Sequence, residues 1–303
     1  MLKKTIFQKP NRIATKKERV ATQCVCCGSN LLKKSPAILM PFIADRVFGW
    51  QPLEINDSWG LKTIKNGTSY APCNSTLCTE CGFLFLDIRF SDNELASLYE
   101  GYRDEKYTAL REKYEPGYKE RNDGLIVGVT YIEQVEEFLS PFFSFPINIL
   151  DWGGDTGKNS PFKDKKNLLH IYEINNKEPI PGAELVTKEK TLKTNYDLVV
   201  CSHVLEHVPY PSELLLEIKQ AMREETILYI ELPYEELMQT ANNDASLNLK
   251  KRHWHEHINF YSEESLSRLL TACGLTIIKF SPLKAWGGAN TSYVLQIACK
   301  LAS

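Results

Sequence analysis

Cys24-Val25-Cys26-Cys27-Gly28 and Cys78-Thr79-Glu80-Cys81-Gly82 are two copies of C-x-x-C-G about fifty residues apart. Four thiolates in two such pairs suit a tetrahedral zinc ion, which would force the N-terminal quarter of the chain to close on itself. Glycine after the second cysteine lets the backbone turn tightly and aim its N–H groups at the sulfurs. That spacing selects Cys27 over Cys26, so the expected ligands are Cys24, Cys27, Cys78 and Cys81. A closed set of four leaves no open position, and its expected role is structural. The plainer alternative is four buried cysteines without metal. Redox chemistry is disfavoured because neither pair opens a helix in a βα unit.

Six of the nine cysteines lie between Cys24 and Cys81, a clustering that points to metal in a reducing compartment. No apolar leader and no run of about 18 apolar residues is visible, so a cytoplasmic location is expected. With 36 basic and 38 acidic side chains, the net charge of −2 argues against a general nucleic-acid binder. The first 19 residues nevertheless hold seven Lys/Arg against one Glu, which reads as a solvated tail. The expected organisation is a basic tail (1–20), a zinc-binding module (21–90), a helical linker or lid (91–143) and an α/β domain (144–303).

In the last of these, short apolar runs alternate with helical patterns. Ile147–Leu150, Leu168–Tyr172, Leu198–Cys201, Ile227–Leu232, Thr276–Phe280 and Tyr293–Cys299 read as strands. Helices follow Pro211-Ser212 and the Ser262 cap, the second stopped by Gly274. A capping box at Ser91–Glu94 opens another helix, and Tyr131, Val135, Phe138 and Leu139 mark one more. This is the pattern of a doubly wound, mostly parallel sheet. The short connection Ser281–Thr291 predicts that the last two strands pair antiparallel.

The first strand runs into Asp151-Trp152-Gly153-Gly154-Asp155-Thr156-Gly157, and the second ends at Glu173. A glycine turn and an acid at these places describe a nucleoside-cofactor site, the acid accepting both ribose hydroxyls. The dinucleotide spacing G-x-G-x-x-G is absent, which disfavours a nicotinamide enzyme, and tight strand–helix packing alone would also account for the glycines. A third strand ends in Ser202-His203-Val204-Leu205-Glu206-His207 at the sheet's carboxyl edge, where open α/β sheets bind ligands.

These segments, with IYEIN, YIELP (229–233) and HEHINFYS (255–262), resemble class I S-adenosylmethionine-dependent methyltransferases across most of 147–302. The resemblance implies a seven-stranded sheet with a reversed final strand. It further implies that Asp151, Gly153, Gly154 and Gly157 shape the cofactor loop, that Glu173 holds the ribose, and that Ser202 and His203 line the methionine end. The family usually has glycine where Asp155 stands, and that departure bears on the pose or affinity of the cofactor. The cysteine pairs and the Tyr/Arg-rich stretch from Tyr99 through Tyr102 to Tyr118 are similar to those of sugar and surface-glycan methyltransferases. Tyr102 is expected at the cofactor. The related C-methyltransferases carry a further C-terminal domain; none is expected here, so the expected transfer is to oxygen rather than carbon.

His253, His255 and His257 share a face in an extended segment, so they could bind metal, form a polar loop or supply a base. In the C-methyltransferases such a motif holds a Glu-His pair, so the resemblance implies His257 as general base with Glu256 orienting it. His207 is a second candidate. The expected function is methyl transfer, at oxygen, to a small carbohydrate-type acceptor such as a nucleotide sugar. A sugar C-methyltransferase, an RNA methyltransferase and a degenerate scaffold are the competing readings.

Overall fold

The computed structural model describes residues 17–126, 130–174, 177–240, 244–285 and 292–302. Most of the basic tail, residues 1–16, lies outside them.

Seven strands form the larger sheet. In spatial order they are Leu275–Ala285, Ser292–Leu301, Ile227–Pro233, Leu198–Ser202, Ile147–Trp152, Lys166–Tyr172 and Glu184–Leu185. The pairs among the last five are parallel, whereas Ser292–Leu301 runs antiparallel to both neighbours. The connection between the last two strands is tighter than Ser281–Thr291, since the ladder reaches Ala285↔Ser292; residues 286–291 lie outside the description.

Because successive strand residues point to opposite faces, each central strand feeds two cores. Leu150, Val199, Cys201, Leu228 and Ile230 join the helices Pro211–Ile218 and Glu263–Ala272 in one. Ile147, Ile149, Leu198, Val200 and Tyr229 join the helix Ile132–Leu139 in the other. Helices on both faces make the sheet doubly wound, the class I methyltransferase arrangement. In Pro211–Ile218 the buried positions are Pro211, Ser212, Leu215 and Ile218, with Leu214 half-buried.

The N-terminal region forms a second sheet of five strands, in the order His253–Trp254, Leu32–Leu39, Pro72–Cys78, Leu84–Leu86 and Asn259–Phe260. Two of these come from the segment that carries the histidines, far along the chain. His253 pairs in parallel with Ile38, and Phe260 antiparallel with Leu84. Arg89 ties the region together from inside. Its guanidinium, 1% exposed, donates to Asn259 Oδ1 at 2.8 Å and to the carbonyls of Leu86, Pro209 and Ile258. Burial lowers it to about 10, and the carbonyls stand in for a carboxylate partner.

The capping box expected at Ser91 is present and opens the helix Asp92–Tyr99. It is followed by Glu105–Tyr114, capped by Asp104, and by Tyr118–Ile126. These three helices overhang the carboxyl edge of the large sheet.

Candidate active site

A cavity of about 1190 Å³ opens between that edge and the Tyr-rich helices. Asp151, Gly153, Gly154, Glu173, Ser202, His203, His207, Glu256, His257 and Tyr102 all line it. Gly157 does not. It turns the loop behind the wall, with φ +79° and its N–H on the Gly154 carbonyl at 2.8 Å, and a Cβ there would meet Ile171 at 2.8 Å.

The loop after the first strand is built for close approach. At Gly154 a Cβ would lie 2.4 Å from the Asp151 carboxyl carbon, so no side chain fits without shifting that acid. Burial pushes Asp151 up to about 6, against the Ser160 hydroxyl that donates to it. Asp155 adopts φ +51°, the left-handed region that aspartate tolerates better than most residues. Its N–H donates to Glu173 Oε2 at 3.2 Å, and its carboxylate pairs with Lys177 at 2.9 Å. The usual glycine conformation is thus kept, with an acid added at the rim. Glu173 also accepts from the Ile174 N–H at 2.7 Å, which fixes its carboxylate at the end of the second strand.

The centre of the floor is a carboxylate–imidazole network. Glu231 stands in the buried strand Ile227–Pro233 and accepts from Tyr131 (2.8 Å), Ser202 (3.1 Å) and Tyr229 (2.6 Å). His203 lies between Glu231, 3.0 Å from its Nε2, and Glu206, 3.3 Å from its Nδ1. Burial opposes its charge, yet the two carboxylates outweigh that and raise it to about 10. The network therefore holds a standing imidazolium under the predicted methionine end.

His257 and His207 meet edge to face, with ring centroids 4.8 Å apart. The partner of His257 is Glu235, whose Oε1 is 3.0 Å from its Nδ1. This corrects the pairing expected from the HEH motif. The Glu256 carboxylate turns away to Arg111, at 2.6 Å. Burial alone would raise Glu256; the Arg111 guanidinium, with His257 and His255, holds it at about 2 instead. To His207 Glu256 offers its backbone carbonyl, 3.0 Å from Nδ1, while its second carboxylate oxygen lies 4.0 Å from Nδ1 of His255. The expected common face of His253, His255 and His257 does not form a site either, since only His257 reaches the cavity.

Glu206, Glu231, Glu235, Arg111 and Tyr131 gain site positions that the sequence reading did not assign. A signal existed for Glu231, a lone acid in the apolar run ILYIELP. Arg111 stood in the Tyr/Arg-rich stretch, but its pairing with Glu256 gave no local signal, because the two are 145 positions apart.

In the N-terminal sheet, Cys24, Cys27, Cys78 and Cys81 converge with their sulfurs all within 4.8 Å. Cys24 and Cys81 are 3.8 Å apart, Cys27 and Cys78 3.6 Å. Zinc–sulfur bonds of about 2.3 Å in a tetrahedron place sulfurs ~3.8 Å apart, so the four fit that ion. Gly28 and Gly82, at φ +75° and +73°, each return an N–H to the first cysteine's carbonyl in their pair. Cys26 points elsewhere, to the Ser265 carbonyl at 3.1 Å.

Sheet order, reversed strand and edge cavity together define a class I methyltransferase architecture. A family model described as "methyltransferase domain" matches residues 126–279, half of the chain. The chain belongs to this methyltransferase family and is an enzyme of that class. No curated protein matches it. Several solved structures are similar. The 1,6-didemethyltoxoflavin-N1-methyltransferase of Burkholderia thailandensis, bound to 1,6-didemethyltoxoflavin and S-adenosylhomocysteine, is 14% identical. The match covers 65% of this chain and 90% of that one, with TM-score 0.45. The glycopeptide N-methyltransferase MtfA, complexed with sinefungin, is 13% identical over 57% of this chain and 94% of its own (TM-score 0.42). An S-adenosylmethionine-dependent methyltransferase from Clostridium acetobutylicum is 12% identical over 61% and 98% (TM-score 0.42). Among the described residues no helix is long and apolar enough to cross a membrane.

Proposed function

We propose that the methyl donor is S-adenosylmethionine and that the acceptor is a small carbohydrate-type molecule, a nucleotide sugar or surface-glycan precursor, methylated at oxygen. The donor lies on the 151–157 loop with its ribose on Glu173 and its methionine end at Ser202 and His203. Its positive sulfonium suits a floor rich in carboxylates. The observation that carries the acceptor is the opposite wall. Tyr99, Tyr102 and Tyr118 line it, with the Arg103 guanidinium 4.8 Å from the Tyr102 ring and that of Arg121 5.8 Å from the Tyr118 ring. Arg103 lines the cavity without a carboxylate partner among the described residues, and its Nε is buried without a hydrogen bond. Aromatic faces stack on sugar or base rings, and guanidinium groups pair phosphates.

Methyl transfer to oxygen needs a hydroxyl that loses its proton in line with the S–CH3 bond. The imidazoles of His207 and His257 are the groups that activate it, His257 held in orientation by Glu235. His257→Ala is expected to lower turnover on the order of 10²–10⁴-fold while S-adenosylhomocysteine still binds. Glu235→Gln loses less, since it only frees the ring. Calorimetry with S-adenosylhomocysteine, and turnover of a panel of nucleotide sugars, test the reading. Normal turnover by His257→Ala on the true acceptor removes His257 from the chemistry.

The four-cysteine cluster is proposed to hold zinc in a structural role. Four thiolates in a tetrahedron fill the ion's coordination, which leaves no position for a substrate.

A further inference from the structure

We propose that Glu206, His207 and His257 form a binding site for a first-row divalent cation, with open coordination positions facing the acceptor. One ligand atom from each of the three lies within 4.8 Å of the others, and all three line the cavity. The inference rests on reading this cavity as the methyl-transfer site and specifies how its imidazoles act.

Glu206 makes the case from the carboxylate side. It is 2% exposed, and both its oxygens are buried without a hydrogen-bond donor. Its neighbours are the Nδ1 of His203 at 3.3 Å and the Nε2 of His207 at 3.7 Å. His203 is shared with Glu231, whose Oε1 is 3.0 Å from its Nε2, so one imidazole faces two buried carboxylates. A positive centre against Glu206 is electrostatically favoured.

The histidines are prepared from behind. Nδ1 of His257 meets the Glu235 carboxylate at 3.0 Å. Nδ1 of His207 meets the Glu256 carbonyl at 3.0 Å and the Tyr99 hydroxyl at 2.8 Å. A carbonyl and a carboxylate can only accept, so both Nδ1 atoms carry the proton. In the neutral rings each Nε2 then keeps its lone pair. On His207 that Nε2 lies 3.7 Å from a Glu206 carboxylate oxygen, and a cation bound between the two would satisfy both. Metal-bound histidines have this same backing of carboxylate or carbonyl on the second nitrogen. Two imidazoles and one carboxylate are a donor set for Zn²⁺, Co²⁺, Mn²⁺ or Fe²⁺ in sites that keep positions for substrate.

A hydroxyl bound to such a cation loses its proton to water at a much lower pH than a free one. The oxygen's electron pair then forms the new O–CH3 bond while the S–CH3 bond breaks. Sulfur keeps the electrons of the broken S–CH3 bond, leaving S-adenosylhomocysteine, and the cation is unchanged. A neighbouring sugar oxygen can fill a second position.

The test is a Co²⁺ titration of the full chain with its four-cysteine site loaded with zinc, read by calorimetry and visible absorption. One Co²⁺ is expected to bind with nitrogen- and oxygen-type bands and no thiolate charge-transfer band. Glu206→Gln and His257→Ala should abolish binding, and Glu235→Gln should weaken it about 10–100-fold. If Glu206→Gln fails to fold, His257→Ala alone decides. No Co²⁺ bound by the wild type, or equal binding by His257→Ala, overturns the proposal. S-adenosylhomocysteine binding measured on the same samples separates the two readings. Retained with no Co²⁺ bound, it leaves direct proton transfer to His257; lost, it overturns the methyl-transfer reading while the Co²⁺ result still stands.

Discussion

Glu256 shows how a residue can be named by its motif and yet act through a different partner. Read along the chain, it stands beside His257; in space, its carboxylate binds Arg111 from the helix Glu105–Tyr114. Nothing local in the sequence encodes a partner so distant, whereas the acid after the second strand, Glu173, was legible because the fold fixes that position. The consequence is measurable. Glu256 is held at about 2, below the ordinary ~4.3, so it favours the folded state above that ordinary value. The contribution fades as pH falls from about 5 toward 2. Glu256→Gln should therefore cost on the order of 3 kcal/mol at pH 7. The gap from wild type should close on acidification, as urea unfolding at a series of pH values would show. A gap that stays constant with pH would place the ion pair outside the folding equilibrium. Arg89 lends itself to a simpler test: Arg89→Met removes the donor from four interior acceptors, of which the Ile258 carbonyl keeps the Leu86 N–H, and should destabilise by about 3–5 kcal/mol.

At the level of elements, the sequence was readable where a segment is long enough to show a period. The strands near 147, 198 and 227 and the helix capped by Ser262 all stand close to their expected bounds. Two-residue strands carry no period, so Glu184–Leu185, His253–Trp254 and Asn259–Phe260 were invisible; only their neighbours make them strands. The last two also bind the cysteine cluster's sheet to the cavity wall. Cys81→Ser should for that reason do more than lower zinc content in elemental analysis. Loosening Leu84–Leu86 loosens Asn259–Phe260, so S-adenosylhomocysteine affinity should fall although no cysteine touches the cavity. Unchanged affinity with metal lost would confine the cluster's influence to its own sheet.

Across the whole molecule, one apolar core contains Cys24, Cys78 and Cys81 together with Leu150, Val199 and Ile230 of the large sheet. A core shared in this way predicts cooperative loss of both sheets. Tryptophan fluorescence and far-ultraviolet circular dichroism should therefore trace coincident urea transitions. Two separated transitions would mean that the halves stand independently. The shared sheet also has a bearing on how the chain is made. Leu32–Leu39 needs His253 beside Ile38, more than two hundred residues later, and Leu84 needs Phe260. A ribosome releases the amino end first. Both cysteine pairs emerge early, but the strand edges at Ile38 and Leu84 stay open until most of the methyltransferase fold has emerged. Contacts of such long sequence separation form slowly, and open strand edges invite pairing with other chains. The amino-terminal sheet thus begins first and closes late, and its open edges are exposed to other chains through most of synthesis.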